Sequence, residues 1–231
     1  MDKIKCNMIV YTKSKERVEN FNKTKEILKE LEMFDAIDGI NMYEHYKKYA
    51  LSNNYVTQYF IDDCEGKRDN FPKLGIMGCL LSHLTLLKDF VENSDKEWLF
   101  VMEDDATLDN FHPKIFDYLI DNLTKQKSNF LQMFVNPRFI EKQLNEKKYN
   151  HGLYRMIHQW GLVSYMINKE GAKLVLSKMP YKQAIDMEVI SNIDELNAIA
   201  FVNNIIKYRG ALGSHDKNSE LGSLLWNIKP N

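Results

Sequence analysis

The run Trp98-Leu-Phe-Val-Met102 constrains the fold of this chain more than any other stretch. Its large apolar residues do not alternate with polar ones, so they do not suit a strand with one wet face. Polar segments bound the run on both sides, which makes it a strand buried on both faces of a mostly parallel sheet. It leads directly into Glu103, Asp104 and Asp105. In an open α/β sheet, ligands collect beyond the carboxyl ends of the strands, and here that end carries three adjacent carboxylates. In extended backbone Glu103 and Asp105 point to one side and Asp104 to the other. The three raise one another's pKa values, so solvent, a basic partner or a hard cation with oxygen ligands must compensate them. A solvated turn and a two-carboxylate metal clamp both satisfy that requirement.

The rest of the chain alternates strand and helix. Ile4 to Tyr11 reads as a strand, Val18, Phe21, Leu28 and Leu31 recur at helical spacing, and Phe34 to Ile37 reads as a second strand turning at Asp38-Gly39. Residues 41 to 72 are polar and tyrosine-rich, with a helix near 42 to 50 and a loop holding Asp62 to Gly66. From Gly75, a helix carries the apolar stripe Leu80, Leu84, Leu87 and Val91. Pro113 opens a helix whose face is Ile115, Phe116, Leu119, Ile120 and Leu123, and Phe130 to Val135 is a further strand. Residues 138 to 152 offer little apolar surface and read as a mobile flap. Leu162 to Ile167 is a strand, Asn168 caps the next helix, and residues 198 to 208 form one or two strands before a coil containing His215 and Asp216. This order predicts an α/β fold as a single domain over residues 1–231, without repeats or an interdomain linker.

At 231 residues and 44% hydrophobic, the chain can bury one sizeable core. Its 31 basic and 32 acidic residues give a net charge of -1, which argues against nucleic acid as a partner. Cys6, Cys64 and Cys79 are odd in number and contain no C-x-x-C pair, so neither a disulfide framework nor a cysteine zinc site is expected, and a reducing, cytoplasmic setting is. No stretch approaches the roughly 18 apolar residues of a membrane span. Peripheral membrane association and any oligomeric state stay open.

Upstream of the acidic cluster lies Gly75-Ile-Met-Gly-Cys-Leu-Leu-Ser-His83. Glycines three apart at a helix entrance allow close backbone approach to a ligand, and free N–H groups there can receive phosphate. They serve helix packing equally well. His83 borders the apolar stripe, where a hydrogen-bonded core histidine is the common case. Ser82 and His83 diverge by about a hundred degrees on a helix, which disfavours a nucleophilic pair.

Together these segments resemble glycosyltransferase family 25, the family of bacterial lipooligosaccharide galactosyltransferases and collagen galactosyltransferases. Its Gly-Glu-Ile-Gly-Cys-x-x-Ser-His block is met by Gly75, Gly78, Cys79, Ser82 and His83, and its strand ending in Glu-Asp-Asp by Trp98 to Asp105. Ser164 to Ala172, Ala184 to Glu188 and Ala36-Ile-Asp-Gly39 match further segments. Ile76 stands where the family has glutamate and Tyr11-Thr12 where it has Asn-Leu, departures that bear on donor contacts rather than on fold.

The resemblance implies a GT-A-like (Rossmann-like) mixed, mostly parallel sheet flanked by helices, with residues 1–135 binding the nucleotide sugar and 153–231 serving the acceptor. It implies an inverting hexosyltransferase that uses a UDP-sugar, with galactose or glucose as the hexose, and Mn²⁺ or Mg²⁺; the acceptor is a hydroxyl of a glycan or protein. Asp105 is assigned to the metal with Glu103, and His215 is the candidate third ligand, although a surface loop histidine fits the same position. Arg17, Asp38, Gly75, Gly78, His83, Glu103 and Asp104 are assigned to the donor. Asp186 is the candidate base that takes the acceptor proton, with Glu188 second, and both would point one way from an extended segment. A pair of acidic residues at a helix N-terminus is the plainer reading of those two. Other readings of the whole are a non-catalytic nucleotide-sugar or carbohydrate-binding relative and a metal-dependent phosphoesterase.

Overall fold

The computed structural model describes residues 2–109, 111–202 and 205–208. The chain opens with β1 (Ile4–Val10), α1 (Lys15–Ile27) and β2 (Leu31–Asp35), then α2 (Tyr43–Ser52), α3 (Gln58–Cys64) and the long α4 (Gly75–Asn93). There follow β3 (Trp98–Glu103), β4 (Ala106–Leu108), α5 (Ile115–Gln126), β5 (Phe130–Gln132), α6 (Ile140–Leu144), β6 (Lys148–Asn150) and β7 (Leu153–Arg155). The last elements are β8 (Ser164–Asn168), α7 (Lys169–Ser177), α8 (Ile185–Ile190), β9 (Ile199–Phe201) and β10 (Ile206–Tyr208).

Eight strands form one mixed sheet in the order β2-β1-β3-β8-β5-β9-β7-β6, while β4 and β10 pair as a separate ribbon. Only β7 and β8 run against the other strands of the large sheet. The apolar run Trp98 to Met102 lies at the centre, parallel to β1 on one side and antiparallel to β8 on the other, and each of its residues is buried. Leu99 and Val101 face a core built with α4, whereas Trp98, Phe100 and Met102 face a second core that includes Phe21 of α1 and Phe116 and Leu119 of α5. The sheet is therefore a middle layer with apolar packing on both faces, which is what an unalternating strand requires.

Local chemistry explains the helix boundaries. Ser14, Thr57 and Asn168 each cap a helix by accepting a backbone N–H, from Arg17, Phe60 and Gly171 respectively. α5 ends where Lys127 adopts the left-handed conformation at φ 53°. The entrance of α4 is fixed by backbone packing. A Cβ on Gly78 would lie 2.3 Å from Ile37 O and 2.6 Å from Gly39 N, and one on Gly39 would lie 2.3 Å from Gly78 N. Ser82 locks the seam by accepting from Ile37 N at 2.8 Å and donating to Gly78 O at 2.7 Å. Gly78 and Ser82 thus dock the turn after β2 onto α4.

Three expectations need correction. The Asp62 to Gly66 stretch is not a loop throughout, because α3 runs to Cys64 and buries Phe60, Ile61 and Cys64. Residues 138 to 152 are not a free flap. A 3₁₀ turn, α6 and β6 lie there, anchored by the fully buried Gln143, which donates to Arg155 O and accepts from Ile157 N. The segment around Asp186 and Glu188 is the helix α8 rather than extended chain, so the two side chains diverge.

Replacing Gly78 with alanine forces the α4 entrance away from the 37–39 turn. We expect a loss of about 1–3 kcal/mol, read as a lower urea midpoint at unchanged slope; an unaltered midpoint would mean that the seam can shift at no cost.

Candidate active site

The end of β3 sorts its carboxylates by strand alternation. Glu103 turns toward α4, where its Oε1 lies 3.2 Å from His83 Nε2 and 3.9 Å from Cys79 Sγ. His83 is almost fully buried, and its Nδ1 lies 3.0 Å from the Tyr165 hydroxyl. The pair His83 and Tyr165 therefore holds Glu103 from behind. Burial, followed by the charge of Glu103, raises the Tyr165 phenol well above its ordinary range, so it is a neutral hydrogen-bonding group.

Asp104 turns the other way into a closed cage. It forms an ion pair with Arg17, accepts from Tyr11 N at 2.7 Å, and its backbone carbonyl accepts from Asn20 Nδ2 at 2.8 Å. Asn20 also donates to Ala106 O at 2.7 Å, which pins the turn between β3 and β4. Burial raises the Asp104 pKa, and the opposing pull of Arg17 does not fully cancel it. Asp105 is different. Its Oδ1 is buried without a hydrogen-bond partner among the described residues, and burial, then the charges of Glu103 and Asp104, push its pKa well above the carboxylate range.

Asp186 joins this group from α8. Its Oδ2 accepts from Gly161 N at 3.1 Å and its Oδ1 from Met187 N at 2.9 Å. Burial raises its pKa, these hydrogen bonds lower it, and the charge of Glu103 raises it further. Cys79 sits among these residues with its side chain exposed, and enclosure by the site together with the charges of Glu103, Asp186 and Asp105 raises its thiol pKa. The structure thus brings together Cys79, His83 and Glu103, and the charges of Asp105 and Asp186 act on Cys79 as that of Glu103 acts on Asp186.

Other candidate residues lie around this centre in supporting positions. Arg17 is spent on Asp104. Gly78 packs on Gly39 instead of standing open to a ligand, and Gly75 is the first residue of α4. Asp38 accepts from Lys13 Nζ at 2.6 Å, from Asn41 N and Nδ2 at 2.9 Å each, and from the Tyr11 hydroxyl at 3.2 Å. Glu188 turns back to accept from Lys182 N at 2.9 Å and Gln183 N at 3.2 Å, which closes the entrance of α8. His215 lies outside the described residues.

Sequence reasoning gave no role to Tyr11, Asn20, Tyr165, Gly161 or Cys79. Cys79 and His83 stand four residues apart on α4, a spacing that places both on one helix face and was readable in advance. The others act through backbone atoms or across the sheet, where no local pattern marks them.

A three-layered α/β chain that gathers carboxylates at the end of its central strand defines a class of ligand-binding sheet proteins. Within that class the assignment is specific: residues 4–191 match the pattern of glycosyltransferase family 25 (LPS biosynthesis protein), and the chain belongs to that family. It is 22% identical over 165 residues to human procollagen galactosyltransferase 2, a match covering 69% of this chain and 25% of that protein, so the chain spans about a quarter of that relative. Among solved structures it is similar to UDP-glucose pyrophosphorylase complexed with UDP-glucose (14% identity, TM-score 0.46, 87% of this chain and 90% of that one). It is also similar to A197 from STIV (11% identity, TM-score 0.43, 87% and 81%). Among the described residues, no helix is long and apolar enough to cross a membrane.

Hydrogen bonds to Lys13 and Asn41 outweigh desolvation and hold the Asp38 carboxyl well below its ordinary pKa. Its folded-state pKa is depressed, so its contribution to stability is full above about pH 4 and is lost as pH falls through the folded-state value. The stability gap between the native chain and Asp38→Asn should therefore be constant near neutrality and shrink in acid. Urea melts across pH measure it, and a gap that widens in acid would contradict the assignment.

Proposed function

We propose that the chain is an inverting, metal-dependent hexosyltransferase that moves galactose or glucose from a UDP-sugar to a hydroxyl of a glycan or protein acceptor. The observation that carries this reading is the end of the central strand of a family 25 chain, which carries Glu103 and, in the turn after it, Asp105 with an Oδ1 that is buried without a partner among the described residues. The family description, LPS biosynthesis protein, favours a saccharide acceptor. In this reading residues 1–135 form the donor half and 153–231 the acceptor half.

The donor set fits a hard divalent cation. Asp105 Oδ1 is buried without a partner among the described residues, and burial with neighbouring negative charge makes its ionised form costly unless a cation balances it. Asp105 and Glu103 would hold Mn²⁺ or Mg²⁺, with His215 as the further ligand assigned from the sequence. When bound, the ion neutralises charge on the departing diphosphate. Arg17 and Tyr11 hold Asp104 and with it the turn that presents Asp105. His83, backed by Tyr165, orients Glu103. Asp38, at the mouth of β1 and β2, is placed to meet the nucleotide.

Asp186 is the base. Burial raises the Asp186 pKa, and a carboxylate with a raised pKa is a better proton acceptor than an ordinary one. Gly161 N and Met187 N orient its oxygens so that it takes the proton of the acceptor hydroxyl as that oxygen bonds to the anomeric carbon. Glu188 is assigned the positioning of the α8 entrance. Trp160, 44% exposed and edge-on to Phe139 with ring centroids 5.6 Å apart, precedes Gly161 and supplies an apolar face for an acceptor sugar.

The test is UDP release from UDP-galactose and UDP-glucose with Mn²⁺ and a saccharide acceptor. Asp186→Asn should lower kcat by about 100-fold or more, and the acid limb of the native pH profile should lie above the ordinary carboxylate pKa of about 4. Trp160→Ala should raise the acceptor KM more than it lowers kcat. Donor binding without turnover on any acceptor would favour the non-catalytic relative, and hydrolysis of simple phosphodiesters without sugar transfer would favour a phosphoesterase.

A further inference from the structure

Cys79, His83 and Glu103 form a group in which the transferase reading uses Glu103 as a ligand and His83 as its support but gives the Cys79 thiol no role. The three potential ligand atoms, Sγ, Nε2 and a Glu103 carboxylate oxygen, lie within 4.8 Å of one another. The Nε2 to Oε1 separation is 3.2 Å and the Sγ to Oε1 separation 3.9 Å. Tetrahedral zinc, with bonds of about 2.0–2.3 Å, places its ligands roughly 3.3–3.8 Å apart. Cys79 and His83 are four residues apart on α4, so one helix face carries both, and β3 brings Glu103 against that face. Tyr165 at 3.0 Å from Nδ1 fixes the imidazole as an outer partner does in metal sites. In the tautomer with Nδ1–H donating to Tyr165, Nε2 presents a lone pair on the Glu103 side, where a cation can be held between them.

We propose that Cys79, His83 and Glu103 form a site for a thiophilic divalent cation of the zinc class, distinct by its cysteine ligand from the carboxylate-based Mn²⁺ or Mg²⁺ site. Binding exchanges the Cys79 thiol proton, and any proton shared by His83 and Glu103, for the cation, and these protons leave to solvent. Because Glu103 belongs to both ligand sets, occupation by zinc withdraws it from the harder cation, so zinc acts as an antagonist of that site. The cation-binding claim stands without the transferase reading.

The probe is Co²⁺ titrated into the intact chain without nucleotide. Tetrahedral thiolate coordination gives intense visible bands and a near-ultraviolet sulfur-to-cobalt band. Cys79→Ser, at an exposed position, should abolish the sulfur band, and Tyr165→Phe should weaken binding about tenfold. A separate measurement needs no variant: Zn²⁺ should protect Cys79 from iodoacetamide, as read by peptide mass spectrometry, while Cys6 and Cys64 are buried. No cobalt bands in the native chain, the same bands in Cys79→Ser, or equal alkylation with and without Zn²⁺ would each overturn the proposal. Cobalt bands in a chain that releases no UDP would sink the transferase reading alone.

Discussion

Everything at this site depends on how β3 ends. Strand alternation sends Asp104 to one face, where Arg17, Tyr11 N–H and Asn20 enclose it, and sends Glu103 to the other, against His83. A buried carboxylate is tolerated only when paired and hydrogen-bonded. Asp104 meets that condition, whereas Oδ1 of Asp105, in the turn that follows, has no hydrogen-bond partner among the described residues. The fold therefore places Arg17 on the carboxylate that holds the turn, and among the described residues no hydrogen-bond partner meets Asp105 Oδ1.

The surrounding elements fix this imbalance in place. The Gly39 and Gly78 backbone seam seats the post-β2 turn against α4, which sets the position of Asp38 beside Lys13 and Tyr11. From the other half, Gly161 N holds Asp186, and Gln132 ties the Gly161 carbonyl to β5. Burial, then the charges of Glu103, Asp186 and Asp105, raise the Cys79 thiol pKa, so all three carboxylates act on the same group. A divalent cation is the simplest group that relieves such a cluster, and a nucleotide diphosphate is the partner that such a cation would bring.

The central strand, α4, the capped helix α7 and the α/β class were legible because apolar spacing and capping residues are local signals. Leu28 and Leu31 misled for the same reason: they fit helical spacing, yet Leu28 is the extended residue that ends α1 and Leu31 already belongs to β2. Residues 138 to 152 lacked apolar anchors, but Gln143 anchors them through hydrogen bonds that composition does not reveal. At the site, the alternation of Glu103 and Asp104 followed from strand geometry. The helical state of Asp186 to Glu188 was one of two readings left open, since six residues carry too little pattern to choose between helix and strand; the acidic pair at a helix N-terminus is the one the structure shows. Arg17 was legible as a site residue but not as the partner of Asp104, because that contact joins positions 87 residues apart.

The account rests on a cation drawing the nucleotide diphosphate to the end of β3, and calorimetric titration of UDP into the chain, with Mn²⁺ and after its removal by chelation, tests that most directly. UDP should bind with Mn²⁺ and lose most of its affinity without it, and Asp105→Ala should bind weakly in both conditions. Equal UDP binding with and without the metal, or undiminished Mn²⁺-dependent binding in Asp105→Ala, would contradict the account.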